Sequence, residues 1–166
     1  AAAMQTAAML SWPVTPITLP SLELLGRQTT VQVGGKTVLL DVAHNPHAVE
    51  RLKERISEWR ALRPSAGVLA VLGIYRDKAV DDISRLLAGV VTKFYCSEVA
   101  EVRALSKDRL VEVLHNQGSE AEAFETIGAA LEEAMVQSEQ NDLVVVFGSF
   151  PVVGEALNYF HHHLLE

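Results

Sequence analysis

Residues 39–52 read LLDVAHNPHAVERL, an apolar run that ends in Asp41, His44, Asn45 and Pro46 and then turns amphipathic. A carboxylate at a strand end can accept two hydrogen bonds from a vicinal diol, as acidic residues do for nucleotide riboses. The same carboxylate can equally cap the helix that follows. His44 and Asn45, ahead of a proline at the expected first helical position, would aim an imidazole and an amide over the strand edge. His47, on the first turn of that helix, reads as a solvated residue.

Three other stretches break apolar text in the same way: GIYRDK at 73–78, SEVAEVRA at 97–104 and GSFP at 148–151. Lys78 precedes a helix and would present a cation to a carboxylate or phosphate, or else pair with Asp81 or Asp82 on the surface. Gly148 and Ser149 open the last helix, where free backbone amides and a hydroxyl make a modest anion nest. The plainer alternative is a helix cap made by Ser149. Arg103, in a loop, gains no assignment from its spacing. The run HHH at 161–163 is not read as a metal site, because consecutive helical residues point about 100° apart.

The elements that must position these groups alternate between two periods. TTVQV and KTVLLDV flank Gly34 and Gly35 and predict a hairpin whose second strand ends near Asp41. AVERLKERISEW, AVDDISRLLAGV, SKDRLVEVLHNQ (capped by Ser106), IGAALEEAMVQS and VVGEALNYFHHHLL have helical spacing. GVLAVLG, TKFYCS and DLVVVFGS read as buried strands, with a weaker strand near AEAF. Strands apolar on both faces, separated by helices of about 12 residues, imply a mostly parallel sheet covered on each side. The expected fold is therefore α/β, three-layered and Rossmann-like, with an antiparallel hairpin at its N-terminal edge. Ligands of such sheets bind beyond the carboxyl ends of the strands, so all four polar breaks should share one edge. Trp12, Trp59, Phe94, Phe147 and Phe160 are expected as core or interface anchors.

The chain has 166 residues, is 49% hydrophobic and carries 14 basic against 21 acidic residues, a formal charge of −7. That length suffices for one substantial core. No cluster of Lys and Arg is dense enough to track a phosphodiester backbone, which argues against nucleic acid as a partner. The single cysteine, Cys96, offers neither a disulfide framework nor a cysteine-based zinc site and suits a reducing cytoplasm. No stretch approaches the roughly 18 to 20 apolar residues of a membrane span. AAAMQTAAML reads as the latter part of an Ala-rich helix, and SWPVTPITLPSL, with Pro13, Pro16 and Pro20, as an extended connector. Residues 1–25 are thus expected to be a remnant of a neighbouring domain, and 26–166 to form the α/β domain.

The segments DVAHNPHA at 41–48, LGR at 25–27, LGIYRDK at 72–78 and VFGSFPVVGEAL at 146–157 resemble the motifs of the folylpolyglutamate synthase/dihydrofolate synthase group within the Mur ligase superfamily. VRALSKDRL resembles the family's arginine-containing loop. The resemblance covers residues 25–157 and implies an ATP-dependent amide ligase. A carboxylate of dihydropteroate or a reduced folate would be phosphorylated by ATP, and the acyl phosphate attacked by the amino group of L-glutamate. It further implies that this chain is a Mur ligase C-terminal domain that closes over ATP held by a central ATPase domain. The GxxxxGK[ST]-type loop and the Mg2+ ligands would belong to that domain, whose remnant would be residues 1–25; no such loop occurs in these 166 residues.

Carried to matching positions, the resemblance implies that Arg27 reaches the ATP phosphates and Asp41 holds the ribose hydroxyls. His44 and Asn45 would face the reacting phosphoryl group, and Lys78 and Ser149 would bind the incoming glutamate. No metal ligand is expected in this chain. Gln28 and Thr29 stand where the family usually has an aromatic, and Leu25 where it often has proline. The expected setting is cytoplasmic and monomeric, with small-molecule substrates and the ATPase domain as partners and no membrane. Two alternatives remain: a peptidoglycan-precursor ligase of the same superfamily, and a stand-alone nucleotide-binding module. A dinucleotide-binding protein is disfavoured by the absence of G-x-G-x-x-G after the first strand.

Overall fold

The computed structural model describes residues 26–163, with side chains as far as His161. The Ala-rich helix, the proline-rich connector and Trp12 lie outside the described residues. Within them, six strands form one sheet in the order β1-β2-β6-β3-β4-β5. The strands are β1 (Thr29–Val33), β2 (Lys36–Asp41), β3 (Val68–Leu72), β4 (Lys93–Ser97), β5 (Glu120–Phe124) and β6 (Leu143–Phe147). The β1–β2 pair is antiparallel and every other pairing is parallel, as the sequence predicts. The hairpin turn is Gly34-Gly35 with φ of 56° and 77°; two successive left-handed residues match the twist of a two-residue hairpin and select glycine.

Five helices cover the sheet: α1 (Pro46–Ala61), α2 (Val80–Leu87), α3 (Lys107–Asn116), α4 (Ile127–Gln137) and α5 (Phe150–His163). Alternate residues of each central strand feed two separate cores. Leu39, Ala70, Leu72, Phe94, Val145 and Phe147 pack beneath α1, α2 and α3 through Leu52, Ile83, Leu110 and their neighbours. Leu40, Val71, Tyr95, Val144 and Val146 pack beneath α4 and α5 through Leu131, Val152 and Phe160. This is the physical content of the three layers. Because β3 and β6 are buried at every residue, their text is apolar throughout rather than alternating. Phe94, Phe147 and Phe160 are core residues, while Trp59 is partly buried beneath Arg63, whose guanidinium lies 4.7 Å from the ring.

The edges explain the weaker signals. β5 is exposed along most of its length, and its carboxylates meet Lys93 of β4, with Glu122 at 2.9 Å and Glu120 at 3.7 Å; charged residues keep an open edge from pairing with other strands. α2 is shorter than its amphipathic text predicts, because Gly89 adopts φ +72° just past Ala88 and ends the helix there. α3 begins as expected, with Ser106 Oγ accepting from the Arg109 amide at 3.4 Å.

The register aligns the functional edge. Asp41 ends β2 opposite Phe147 of β6, which lies opposite Leu72 of β3, which lies opposite Cys96 of β4. All four polar breaks therefore leave the sheet at one level, on one rim. β6 is inserted between β2 and β3, so the chain leaves β2 and β3 on either side of it. Glycine makes this tight junction possible. Gly148 has φ +119°, and a Cβ there would fall 2.3 Å from the Gly73 carbonyl oxygen.

Candidate functional site

Two clefts open along this rim and share one wall. The first, of about 390 Å³, is lined by Arg27, Gln28, Asp41, His44, Asn45 and Arg51 with intervening apolar residues. The second, of about 400 Å³, is lined by His44, Tyr75, Lys78, Glu101, Arg103, Ser149, Phe150 and Pro151. His44 belongs to both. The six candidate residues thus divide: Arg27, Asp41 and Asn45 face one cleft, Lys78 and Ser149 the other, with His44 between them.

Asp41 is 7% exposed. Its Oδ1 accepts the Ala43 amide at 2.9 Å. Burial pushes its carboxyl above the ordinary 3.8, opposed by backbone hydrogen bonds from Ala43, Gln28 and Val42 and by the charge of Arg27. A carboxylate with about four lone-pair sites keeps capacity toward the cleft. Asp41 is not the cap of α1. That role falls to Asn45, whose Oδ1 accepts the Ala48 amide at 3.0 Å, with Pro46 opening the helix as expected. The Asn45 side-chain oxygen is therefore committed to α1, which leaves its Nδ2 as the donor Asn45 can offer to the first cleft.

His44 is half-buried. Its Nδ1 lies 2.8 Å from the Val42 carbonyl oxygen; a carbonyl only accepts, so Nδ1 carries the hydrogen and Nε2 is left as the acceptor of the neutral ring. His47 is exposed beside Glu50, a solvated helix residue. Gln28 has φ +51°, the left-handed region seldom used by residues other than glycine. Its side chain reaches across to the Arg51 carbonyl at 3.3 Å, closing one side of the first cleft. Arg27 is exposed at the same mouth.

In the second cleft Lys78 pairs with Asp77 at 2.9 Å, not with Asp81 or Asp82; Asp82 is taken by Arg85 at 2.8 Å. The neighbouring ammonium holds the Asp77 carboxyl below its ordinary value. Ser149 is 3% exposed and its Oγ, like those of Ser97 and Ser119, has no hydrogen-bond partner among the described residues. Its side chain therefore does not cap α5, and the hydroxyl is left at the wall of the second cleft. Among the described residues no base engages Ser149 Oγ, and Cys96 is buried with its thiol pushed up to about 12, so neither is set up there as an activated nucleophile. The groups present can bind, orient and neutralise charge.

Three lining residues escape spacing arguments: Tyr75, Glu101 and Arg103. Tyr75 OH donates to Glu101 Oε1 at 2.8 Å, and the Arg103 guanidinium lies 4.1 Å from the centre of the Tyr75 ring. Burial, then the Glu101 bond, raises the Tyr75 phenol above 10.0, so it remains a donor at neutral pH. The only sequence signal for Arg103 is the loop VRALSKDRL. Among the described residues no group of three or more His, Cys, Asp or Glu is placed to hold a metal ion, and no helix is long and apolar enough to cross a membrane.

Residues 26–150 match the family model for the Mur ligase, glutamate ligase domain. The chain is 31% identical over 138 residues to the dihydrofolate synthase/folylpolyglutamate synthase of Buchnera aphidicola subsp. Baizongia pistaciae, covering 83% of this chain and 31% of that protein. It is 35% identical over 120 residues to the Escherichia coli protein of the same name, covering 72% and 27%. E. coli FolC in complex with DHPP and ADP superimposes with a TM-score of 0.77 at 30% identity, over 97% of this chain and 38% of that one. A bifunctional folylpolyglutamate synthase/dihydrofolate synthase with Mn, AMPPNP and L-glutamate bound gives 0.76 at 29%, over 96% and 39%. The chain spans about a third of the length of these relatives.

Proposed function

Because the chain belongs to the Mur ligase glutamate ligase domain family, we propose that it is the carboxy-terminal half-site of an ATP-dependent ligase that joins L-glutamate to dihydropteroate or a reduced folate. The observation that carries this reading is the pair of clefts meeting at His44. One offers a buried carboxylate with flanking arginines, the other a lysine, an arginine and an orphaned hydroxyl. Acyl-phosphate chemistry needs a nucleotide and an amino acid brought to either side of one carboxylate, and two clefts that share a wall can hold them so. The relatives' bound ADP, AMPPNP and L-glutamate support the same pairing.

On this reading Asp41 accepts the ribose hydroxyls and Arg27 neutralises phosphate charge. His44 and Asn45 flank the phosphoryl group as it passes to the folate carboxylate, His44 through the Nε2 left free by its Val42 bond. Lys78 and Ser149 orient the glutamate whose amino group then attacks the acyl phosphate, forming the amide and releasing phosphate. These are roles of positioning and charge stabilisation, the main demands of phosphoryl transfer. On the same reading the Mg2+ ligands belong to the ATPase domain, of which residues 1–25 would be the remnant. Domain closure would bring this rim onto ATP held elsewhere.

The test is steady-state activity of the full-length ligase beside its melting curve. Asp41→Ala and His44→Ala should each lower turnover by orders of magnitude without unfolding the domain. Unchanged turnover would refute the assignment. The 166-residue chain alone should release no ADP with ATP, folate and glutamate, and tight ATP binding by it in calorimetry would favour a stand-alone nucleotide module instead.

A further inference from the structure

The first cleft meets the second at His44, and it has another end. There its wall is Gln28 and Arg51, which it shares with a polar groove of about 460 Å³ on the outer face of α1. Gln28 Nε2 donates to the Arg51 carbonyl at 3.3 Å and closes that wall. Arg51 stands about 9 Å further along the helix axis than the Asn45 cap, at a rise of about 1.5 Å per residue. Helical side chains lean toward the N-terminus, and residues three apart share a face. Arg51 therefore leans back over Ala48, a cleft residue too small to obstruct it.

The Arg51 guanidinium is exposed and uncommitted. Among the described residues, every lysine and arginine side chain except those of Arg27, Arg51 and Lys53 pairs with a carboxylate, bonds a carbonyl or lies on an aromatic ring. Two of those exceptions line the first cleft. Lys53, on the same helix, lines none of the three hollows and is the ordinary solvated case.

Resting on the reading that the first cleft receives ATP, we propose that Arg51 is a specificity-determining residue that stacks its guanidinium on the nucleobase. The amino-acid cleft adjoins at His44, so the reacting phosphoryl group must sit at that end. The ribose hydroxyls go to Asp41. The base, on the far side of the ribose from the phosphates, then falls at the Gln28–Arg51 end. A planar, weakly hydrated guanidinium is suited to an aromatic face. Every base has such a face, so stacking reads the extent of the ring and not its hydrogen-bonding edge. Arg51 should therefore favour purine over pyrimidine nucleotides and treat ATP and GTP alike.

In the full-length ligase, Arg51→Ala should raise the KM for ATP about three- to thirtyfold, the range for a guanidinium on an aromatic face. The inhibition constant of ADP should rise by the same factor, the advantage of ATP over CTP should narrow, and the glutamate KM should stay at the parent value. The melting curve should not move, because the Arg51 side chain bonds to nothing it would leave behind. Arg51→Tyr keeps a stacking plane without the charge and should restore most of the affinity; Arg51→Lys keeps the charge without the plane and should not. Lys53→Ala removes one positive charge outside the cleft and should leave both KM values unchanged. An ATP KM unmoved by Arg51→Ala, or raised equally by Lys53→Ala, would overturn the proposal while leaving the ligase reading intact. An unchanged ADP inhibition constant, or rescue by lysine and not by tyrosine, would overturn it too, assigning Arg51 to phosphate charge. Absence of any ATP-dependent turnover in the parent enzyme would overturn both readings.

Discussion

Gly148→Ala is the smallest change that should break the rim. The added Cβ would lie 2.3 Å from the Gly73 carbonyl oxygen and 2.9 Å from Leu72 Cδ1, where real Cβ atoms do not approach closer than 3.0 Å. The ends of β6 and β3 must part by about 0.7 Å to admit it, and the atom in the way is backbone, which cannot swing aside. Its φ of +119° lies outside what an alanine readily adopts. Backbone strain of roughly 1–3 kcal/mol and overpacking of roughly 1–3 kcal/mol together give a loss of about 4 kcal/mol. At about 2–4 °C per kcal/mol for a chain of this size, the melting temperature should fall by roughly 8–16 °C. Gly154→Ala is the control: it lies in α5 with open space where the Cβ would go, and should stabilise by about 0.5–1 kcal/mol through reduced chain entropy. Urea unfolding of both variants with an unchanged slope provides the assay. A Gly148→Ala loss below about 1 kcal/mol, or a destabilising Gly154→Ala, would refute the packing argument.

Other expectations follow from burial. Cys96 is fully buried with its thiol pushed up to about 12, so a thiol reagent should leave the folded chain unlabelled and react only at the rate of unfolding; prompt labelling under native conditions would contradict this. Burial raises Asp41 above 3.8, so the folded state holds its proton more tightly than the unfolded one. The stability Asp41 contributes is complete below 3.8 and is lost as pH rises through its folded-state value. The urea midpoint of Asp41→Asn, which does not titrate, should therefore improve relative to the parent between about pH 4 and pH 7; a constant or opposite difference would count against a buried, destabilised carboxylate.

Much of the fold is legible in the text because its signals are local. The switch from period 2 to period 3.6, the Gly34-Gly35 turn and the wholly apolar β3 and β6 each declare themselves within a dozen residues. The crowded corner at Asp41 to Pro46 is legible for the same reason. What escapes depends on distance along the chain or on competition between neighbours. Asp41 and Asn45 are both good helix caps by type, and only the geometry of the corner gives the role to Asn45. Lys78 has three aspartates within reach in sequence, and the turn selects Asp77. The Tyr75–Glu101–Arg103 cluster joins loops 26 residues apart, so no window on the sequence contains it. Ser149 reads as a cap, yet its hydroxyl is unpartnered, a fact available only from coordinates.

The central claim is that one imidazole separates a nucleotide cleft from an amino-acid cleft. It is tested most directly by varying ATP and L-glutamate independently in the full-length ligase, comparing Asp41→Ala with Lys78→Ala. The account predicts that Asp41→Ala raises the KM for ATP and leaves that for glutamate near the parent value, while Lys78→Ala does the reverse. Both variants weakening the same substrate, or each weakening both equally, would contradict it.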